Sequence, residues 1–280
     1  MATKPDGPLG RSLGRGKEAE VFELGTLAAK IYGTAAGKQR SFREAMNLAV
    51  AESLGLPVPA ARRVQQLGGR WALVMDRVGG PSFAELLESN PEVMPECIEQ
   101  MVTLQLRVHA CRPVGLTCMK TRLINNIRAT VALDEPKRTS LLADVNDMPD
   151  GESLCHGDSH PKNLLGSLSH AKIIDWLDAC QGDPAADVCR SYLLLSLYAP
   201  QLAAPYLRTY TRRGGITGDC VSRWLPFIAA ARLAEGVTGE MIAFWRWSLN
   251  ARGFQPTKSL AGKAPDQSTG TAIPSNGPYC

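Results

Sequence analysis

The sequence predicts a two-lobed α+β protein, a small β-rich lobe with one helix followed by a larger, mainly helical lobe. Three observations predict it. Short β-like runs crowd residues 13–78, a break follows at Val78-Gly79-Gly80-Pro81, and helical periods dominate afterwards. Of 280 residues, 44% are hydrophobic, enough for substantial cores and too many for a wholly disordered chain.

Residues 1–12 are polar, bear Gly and Pro, and read as a flexible leader. In the first lobe, 13–78, β-like runs lie at Ala19–Leu24, Leu27–Tyr32, 61–64 and 71–75. Between them, Ser41–Leu54 sets Phe42, Ala45, Met46, Ala49 and Val50 on one apolar helical face. The second lobe, 79–252, contains a helix over Pro95–His109 with Ile98, Met101, Val102 and Val108 on one side. Ala185–Tyr198 carries Val188, Tyr192, Leu195 and Tyr198 on one face, and Leu193 and Leu194 make it apolar nearly all round, as a core helix requires. A third helical region runs from Trp224 to about Asn250, and residues 253–280, rich in Gly, Pro, Ser and Thr, read as a disordered tail.

Thirty-one Lys and Arg against 27 Asp and Glu leave +4, with no basic run, so no nucleic-acid partner is expected. The apolar runs at Tyr192–Ala199 and Ile228–Ala231 are too short to span a bilayer, and the amino terminus lacks a secretory pattern. Eight scattered cysteines without a CxxC pair predict reduced thiols, a cytoplasmic location and no zinc site.

The chemistry concentrates in Leu154-Cys-His-Gly-Asp-Ser-His-Pro-Lys-Asn-Leu-Leu165 and Ala171-Lys-Ile-Ile-Asp-Trp176. Leu164-Leu165 and Lys172-Ile173-Ile174 predict the arms of an antiparallel hairpin, which would bring Asn163 and Asp175 out at the same open end. An amide carbonyl and a carboxylate there form a hard, incomplete oxygen site that suits Mg²⁺ completed by phosphate oxygens. Asp158, five residues before Asn163, can face that metal and still accept a proton, the layout phosphoryl transfer needs. Each residue alone also fits an ordinary turn; their combined spacing favours a site.

On His156-Gly-Asp-Ser-His-Pro-Lys-Asn163 and Ile174-Asp-Trp-Leu-Asp-Ala-Cys-Gln-Gly-Asp-Pro-Ala-Ala-Asp187, the sequence resembles the aminoglycoside phosphotransferase family, a branch of the protein-kinase-like fold, over about residues 13–250. The resemblance implies that Asp158 is the catalytic base, that Asn163 and Asp175 bind Mg²⁺, and that ATP or GTP lies between the lobes. It gives His160, where protein kinases carry a lysine, a supporting catalytic role, and gives His156 and Asp187 the support of the catalytic loop. Gly14 and Gly16 would shape a phosphate-covering hairpin, although Ala19 replaces a third glycine and Gly-x-Gly also suits a plain turn. Lys30, in an apolar strand context, would contact the α- and β-phosphates and pair with a helix glutamate. Glu44 is the expected partner and Glu52 the alternative, while Ser41-Phe-Arg-Glu44 also fits a capping box. Leu73–Val78, including Met75, resembles the purine-reading hinge, or else is a plain strand. His109 reads as a core or loop-bracing histidine, Asp183-Pro184 as a helix start, and Asp178 as either a metal-facing acid or a loop charge.

The implied function is transfer of a γ-phosphoryl group to a small-molecule hydroxyl. Polycationic aminoglycosides want an acidic pocket, yet residues 201–280 hold nine Lys or Arg against four Asp or Glu, an excess of +5. Trp224, Trp245 and Trp247 could line a pocket for a less charged acceptor or belong to the core. The alternatives are an aminoglycoside-resistance kinase, a nucleotide-binding pseudokinase scaffold and a protein kinase; the last lacks an Ala-Pro-Glu segment after Asp175.

Overall fold

The computed structural model describes residues 8–33 and 35–236. Its first lobe is a five-stranded antiparallel sheet of β1 (Ser12–Arg15), β2 (Ala19–Leu24), β3 (Leu27–Tyr32), β4 (Ala61–Leu67) and β5 (Arg70–Asp76), in the order β1-β2-β3-β5-β4. Alternation along the strands builds two faces. Ala28 and Tyr32 of β3 share one with Leu73 and Met75 of β5, while Ala29 and Ile31 share the other with Ala72 and Val74. Lys30, between Ala28 and Tyr32 in this period, falls on the first face. The end of the expected leader is tied to the sheet, since Gly10 N–H donates to the Glu23 carbonyl at 2.8 Å and Glu23 N–H to the Arg11 carbonyl at 3.0 Å.

Helix α1 (Gly37–Ser53) packs against β3, β4 and β5. It turns the opposite side inward from the one its apolar residues mark. Phe42 and Met46 are exposed, whereas Ser41, Glu44, Asn47, Leu48 and Ala51 are buried. The outward apolar residues are partly covered locally, Phe42 lying 5.8 Å from the Trp71 ring. The capping-box reading of Ser41 and Glu44 also fails: the helix starts at Gly37, and the Ser41 hydroxyl donates to the Gly37 carbonyl within it.

The second lobe opens with α2 (Phe83–Ser89), α3 (Met94–His109), α4 (Met119–Ala129) and α5 (Glu135–Asp144). Four short strands follow, β6 (Ser153–Cys155), β7 (Leu164–Leu165), β8 (Lys172–Ile173) and β9 (Cys180–Gly182). Helices α6 (Pro184–Tyr198), α7 (Pro200–Gly214), α8 (Gly218–Arg223) and α9 (Leu225–Leu233) complete it. Helix α6 starts as its sequence dictates, with Asp183 accepting from Ala185 N–H at 2.8 Å and Pro184 in the first turn. It runs through the core against α7, α8 and α9, burying Val188, Leu193, Leu194 and Leu195, until Tyr198 emerges into solvent. Trp224 is a core residue at 1% exposure, not a pocket wall. Trp245, Trp247, the helical stretch to Asn250 and the 253–280 tail lie outside the described residues. Among the described residues, Cys97, Cys111, Cys118, Cys155, Cys180 and Cys189 are free thiols. No helix among the described residues is long and apolar enough to cross a membrane.

Candidate active site

Strands β6 and β9 pair antiparallel through Ser153↔Gly182, Leu154↔Gln181 and Cys155↔Cys180, drawing together the two ends of segment 156–179. At the exit of β6 the chain turns sharply at Gly157, whose φ is +78°. A Cβ there would stand 2.3 Å from the Asp178 carbonyl oxygen, so the residue must lack a side chain. Its N–H donates to Asp187 Oδ1 at 2.7 Å. Gly157→Ala combines the left-handed backbone penalty with a backbone clash and is expected to cost more than the roughly 1–2 kcal/mol of the former alone. Chemical denaturation should find this loss together with reduced turnover; an unchanged midpoint would contradict the close approach.

Asp187 lies beneath the loop on α6, 1% exposed. Its second oxygen accepts from His109 Nε2 at 2.9 Å and Gln105 Nε2 at 3.0 Å. His109 Nδ1 meets the Tyr210 hydroxyl, and the Tyr206 hydroxyl donates to Gln105 Oε1. Every partner in this buried chain is itself partnered, the condition under which a buried charge is tolerated. Burial pushes Asp187 up, but the His109 hydrogen bond and the His109 and Gln105 interactions outweigh it and set the pKa at about 2.

Beyond Gly157, β7 and β8 form the hairpin in the expected register, Leu164↔Ile173 and Leu165↔Lys172. Ile174 N–H donates to the Asn163 carbonyl at 3.0 Å, so Asn163 and Asp175 flank its open end. Asp175 has a left-handed φ of +62°, uncommon for a residue with a Cβ. Asn163 Nδ2 donates to Asp158 Oδ2 at 3.1 Å and to the Asp158 carbonyl at 2.8 Å. His156 ties this end to the loop: its Nε2 donates to the Ile174 carbonyl at 3.0 Å while Nδ1 accepts from Asp158 N–H at 3.3 Å. That pattern assigns it the Nε2–H tautomer. His160 Nε2 lies 3.3 Å from Asp158 Oδ2.

The first lobe contributes Lys30, 7% exposed. Its Nζ lies 2.9 Å from the Glu44 carboxylate and 2.6 Å from Asp175 Oδ1. Glu44 also accepts from the Tyr32 hydroxyl and from Trp176 N–H, and Asn47 Nδ2 donates to the Trp176 carbonyl at 2.8 Å. The inward polar side of α1 thus clasps segment 175–177, which explains why the apolar side faces out. The alternative Glu52 is exposed. Burial works against the Lys30 charge, but Glu44 and Asp175 overcome it and raise its pKa; burial raises Glu44 despite Lys30.

An arginine group that the sequence did not point out gathers at Asp178 and reaches Asp158 through Arg190. Arg190 of α6 reaches Asp158 Oδ1 at 3.4 Å, Asp178 Oδ2 at 3.6 Å and Glu235 Oε1 at 2.9 Å. Arg43 and Arg122 lie 3.5 and 3.4 Å from Asp178, so that acid is the hub of three arginines rather than a metal-facing or solvated charge. Burial alone would push Asp158 up; the His160 hydrogen bond and the Arg190 charge hold it well below the ordinary carboxylate range. The available signal for Arg190 was a lone charge one turn after Asp187 in an otherwise apolar helix.

Gly14 and Met75 stand in the sheet, and Gly16 in the turn that follows β1. Gly14 is opposite Val21, itself opposite Lys30, two strands or roughly 9–10 Å across the sheet. Gly16 N–H donates to the Ala19 carbonyl at 2.9 Å, closing the β1–β2 turn. Met75, near the end of β5, is opposite Ala28 and 8% exposed.

A strand lysine paired with a helix glutamate, over a helical lobe whose hairpin presents Asn and Asp, defines the protein-kinase-like fold. The model of the phosphotransferase enzyme family, APH, matches residues 10–224, and the chain belongs to that family. It is a phosphotransferase. A thermostable mutant of aminoglycoside phosphotransferase APH(4)-Ia, in its apo form, superposes with a TM-score of 0.64 at 16% identity, over 88% of this chain and 93% of that one. Its ternary complex with AMP-PNP and hygromycin B gives 0.64 at 16%, over 86% and 91%. A choline/ethanolamine kinase family protein from Mesorhizobium loti gives 0.56 at 18%, over 88% and 89%. No curated protein matches the chain.

Proposed function

We propose that the chain transfers the γ-phosphoryl group of ATP or GTP to a hydroxyl of a small molecule in the cytoplasm. The observation that carries this reading is Lys30, held between Glu44 and Asp175 at the hairpin end where Asn163 holds Asp158. The ternary complex of the similarly folded aminoglycoside phosphotransferase with AMP-PNP and hygromycin B supports a nucleotide donor and a small-molecule acceptor.

Lys30, kept protonated by its two carboxylates, offers fixed positive charge to the α- and β-phosphates, and Glu44 fixes its position. Gly14 and Gly16 would shape the β1–β2 hairpin over the phosphates, and Met75 would border the purine at the end of β5. Asn163 and Asp175 would hold Mg²⁺. An amide oxygen and a carboxylate are hard donors, and phosphate oxygens and water would complete the shell. When bound, the metal neutralises charge developing on the transferred group. Asp158 accepts the acceptor hydroxyl's proton, His160 steadies its carboxylate, and His156 and Asp187 hold the loop that carries it.

Lys30→Ala tests the reading. Losing a charge-assisted contact predicts a rise of tenfold or more, in order of magnitude, in the KM or Kd for the triphosphate. Unchanged affinity and turnover would remove Lys30 from the site and the reading with it.

A further inference from the structure

We infer that the acceptor is a hydroxylated carboxylic acid whose carboxylate is held by Arg190 and Arg232; this rests on the phosphoryl-transfer reading above. Arg190 of α6 and Arg232 of α9 are 8% and 9% exposed. Both grip one carboxylate, that of Glu235: Arg190 Nη1 lies 2.9 Å from Oε1, and Arg232 Nη1 contacts Oε2. The Nε of each arginine is buried with no hydrogen-bond partner among the described residues. The two guanidiniums thus meet at the Glu235 carboxylate, Arg190 reaching Asp158 and Asp178 besides, and each still leaves its buried Nε–H without an acceptor.

The position of this pair gives it meaning. The other prong of the Arg190 fork, Nη2, lies 3.4 Å from Asp158 Oδ1. The base and the captured carboxylate thus sit on two nitrogens of one guanidinium, and an acceptor placed there would carry its hydroxyl close to its acid group. Glu235 occupies the seat in this state. It follows the last turn of α9, its side chain is 29% exposed, and it can yield to a ligand of the same chemistry. The surrounding charge agrees. Arg43 and Arg122 reach the neighbouring Asp178, and the Lys17 ammonium donates to the Glu235 carbonyl. Five cations thus face Asp158, Asp178 and Glu235, a field that repels a polycation and draws an acid.

The test measures binding by calorimetry to the full chain holding an unreactive ATP analogue. The probes are glycerate, malate, serine and gluconate, each beside its methyl ester, with choline and an aminoglycoside as cationic controls. At least one acid should bind more tightly than its ester and be phosphorylated when ATP is supplied. Arg232→Gln should weaken that acid about tenfold or more, with no such loss for the ester. Glu235→Gln should act in the opposite direction, strengthening the acid by removing the resident carboxylate; this gain cannot come from a damaged fold. The inference is overturned if every acid binds no better than its ester, if the cationic controls are the preferred acceptors, or if Glu235→Gln brings no gain. ATP-analogue binding separates the two failures: retained binding with indifferent acids refutes only the carboxylate seat, whereas lost binding refutes the phosphoryl-transfer reading as well.

Discussion

Asp158→Asn is expected to lower kcat by about 10²–10⁴-fold, the usual contribution of a positioned general base. The substitution keeps the side chain's size, and its remaining oxygen can still accept from Asn163 Nδ2 or Arg190. What it removes is the ability to take a proton. The wild-type carboxyl is held ionised by His160 and Arg190, so it is ready to accept over the neutral range. Triphosphate affinity, which the proposed function assigns to Lys30, should change far less than kcat, and this split identifies a chemical role rather than a folding defect. A folded variant turning over at the wild-type rate would refute the assignment.

The second large effect lies beneath the loop. Asp187→Ala should cost about 3–5 kcal/mol, the range for removing one member of a buried charged network. It strips acceptors from Gly157 N–H, His109 and Gln105 together and leaves donors buried without partners. Denaturation by urea at neutral pH should report the loss, with activity falling as the loop loosens; an unaltered midpoint would contradict it. The same carboxylate predicts a pH dependence. Its folded pKa of about 2 lies below the unfolded value near 3.9, so its stabilisation is complete above about pH 4 and is lost as pH falls towards 2. Asp187→Asn should flatten that acid limb.

The sequence was most legible where side chains obey a simple period or a fixed turn. The β-like runs Ala19–Leu24 and Leu27–Tyr32 are the strands β2 and β3, and the two short arms around Gly166–His170 form the hairpin in the expected register. Helix α1 misled because periodicity marks where apolar residues lie, not which side the rest of the molecule needs. Here the inner side is claimed by Glu44 for Lys30 and Trp176 N–H and by Asn47 for the Trp176 carbonyl, so Phe42 and Met46 are left outside. The arginines were hidden for another reason: Arg43, Arg122 and Arg190 come from three helices far apart in sequence, and no local spacing announces that they meet at Asp178.

On the proposed function, Asn163 and Asp175 hold the divalent metal of a nucleoside triphosphate that Lys30 also grips. Electron paramagnetic resonance with Mn²⁺ in place of Mg²⁺ tests it directly, comparing the wild type with Asn163→Ala and Asp175→Ala in the presence and absence of an unreactive ATP analogue. Protein-bound Mn²⁺ should require the nucleotide and be lost or strongly weakened in both variants. Equal Mn²⁺ binding in both variants, or binding indifferent to the nucleotide, would contradict that reading.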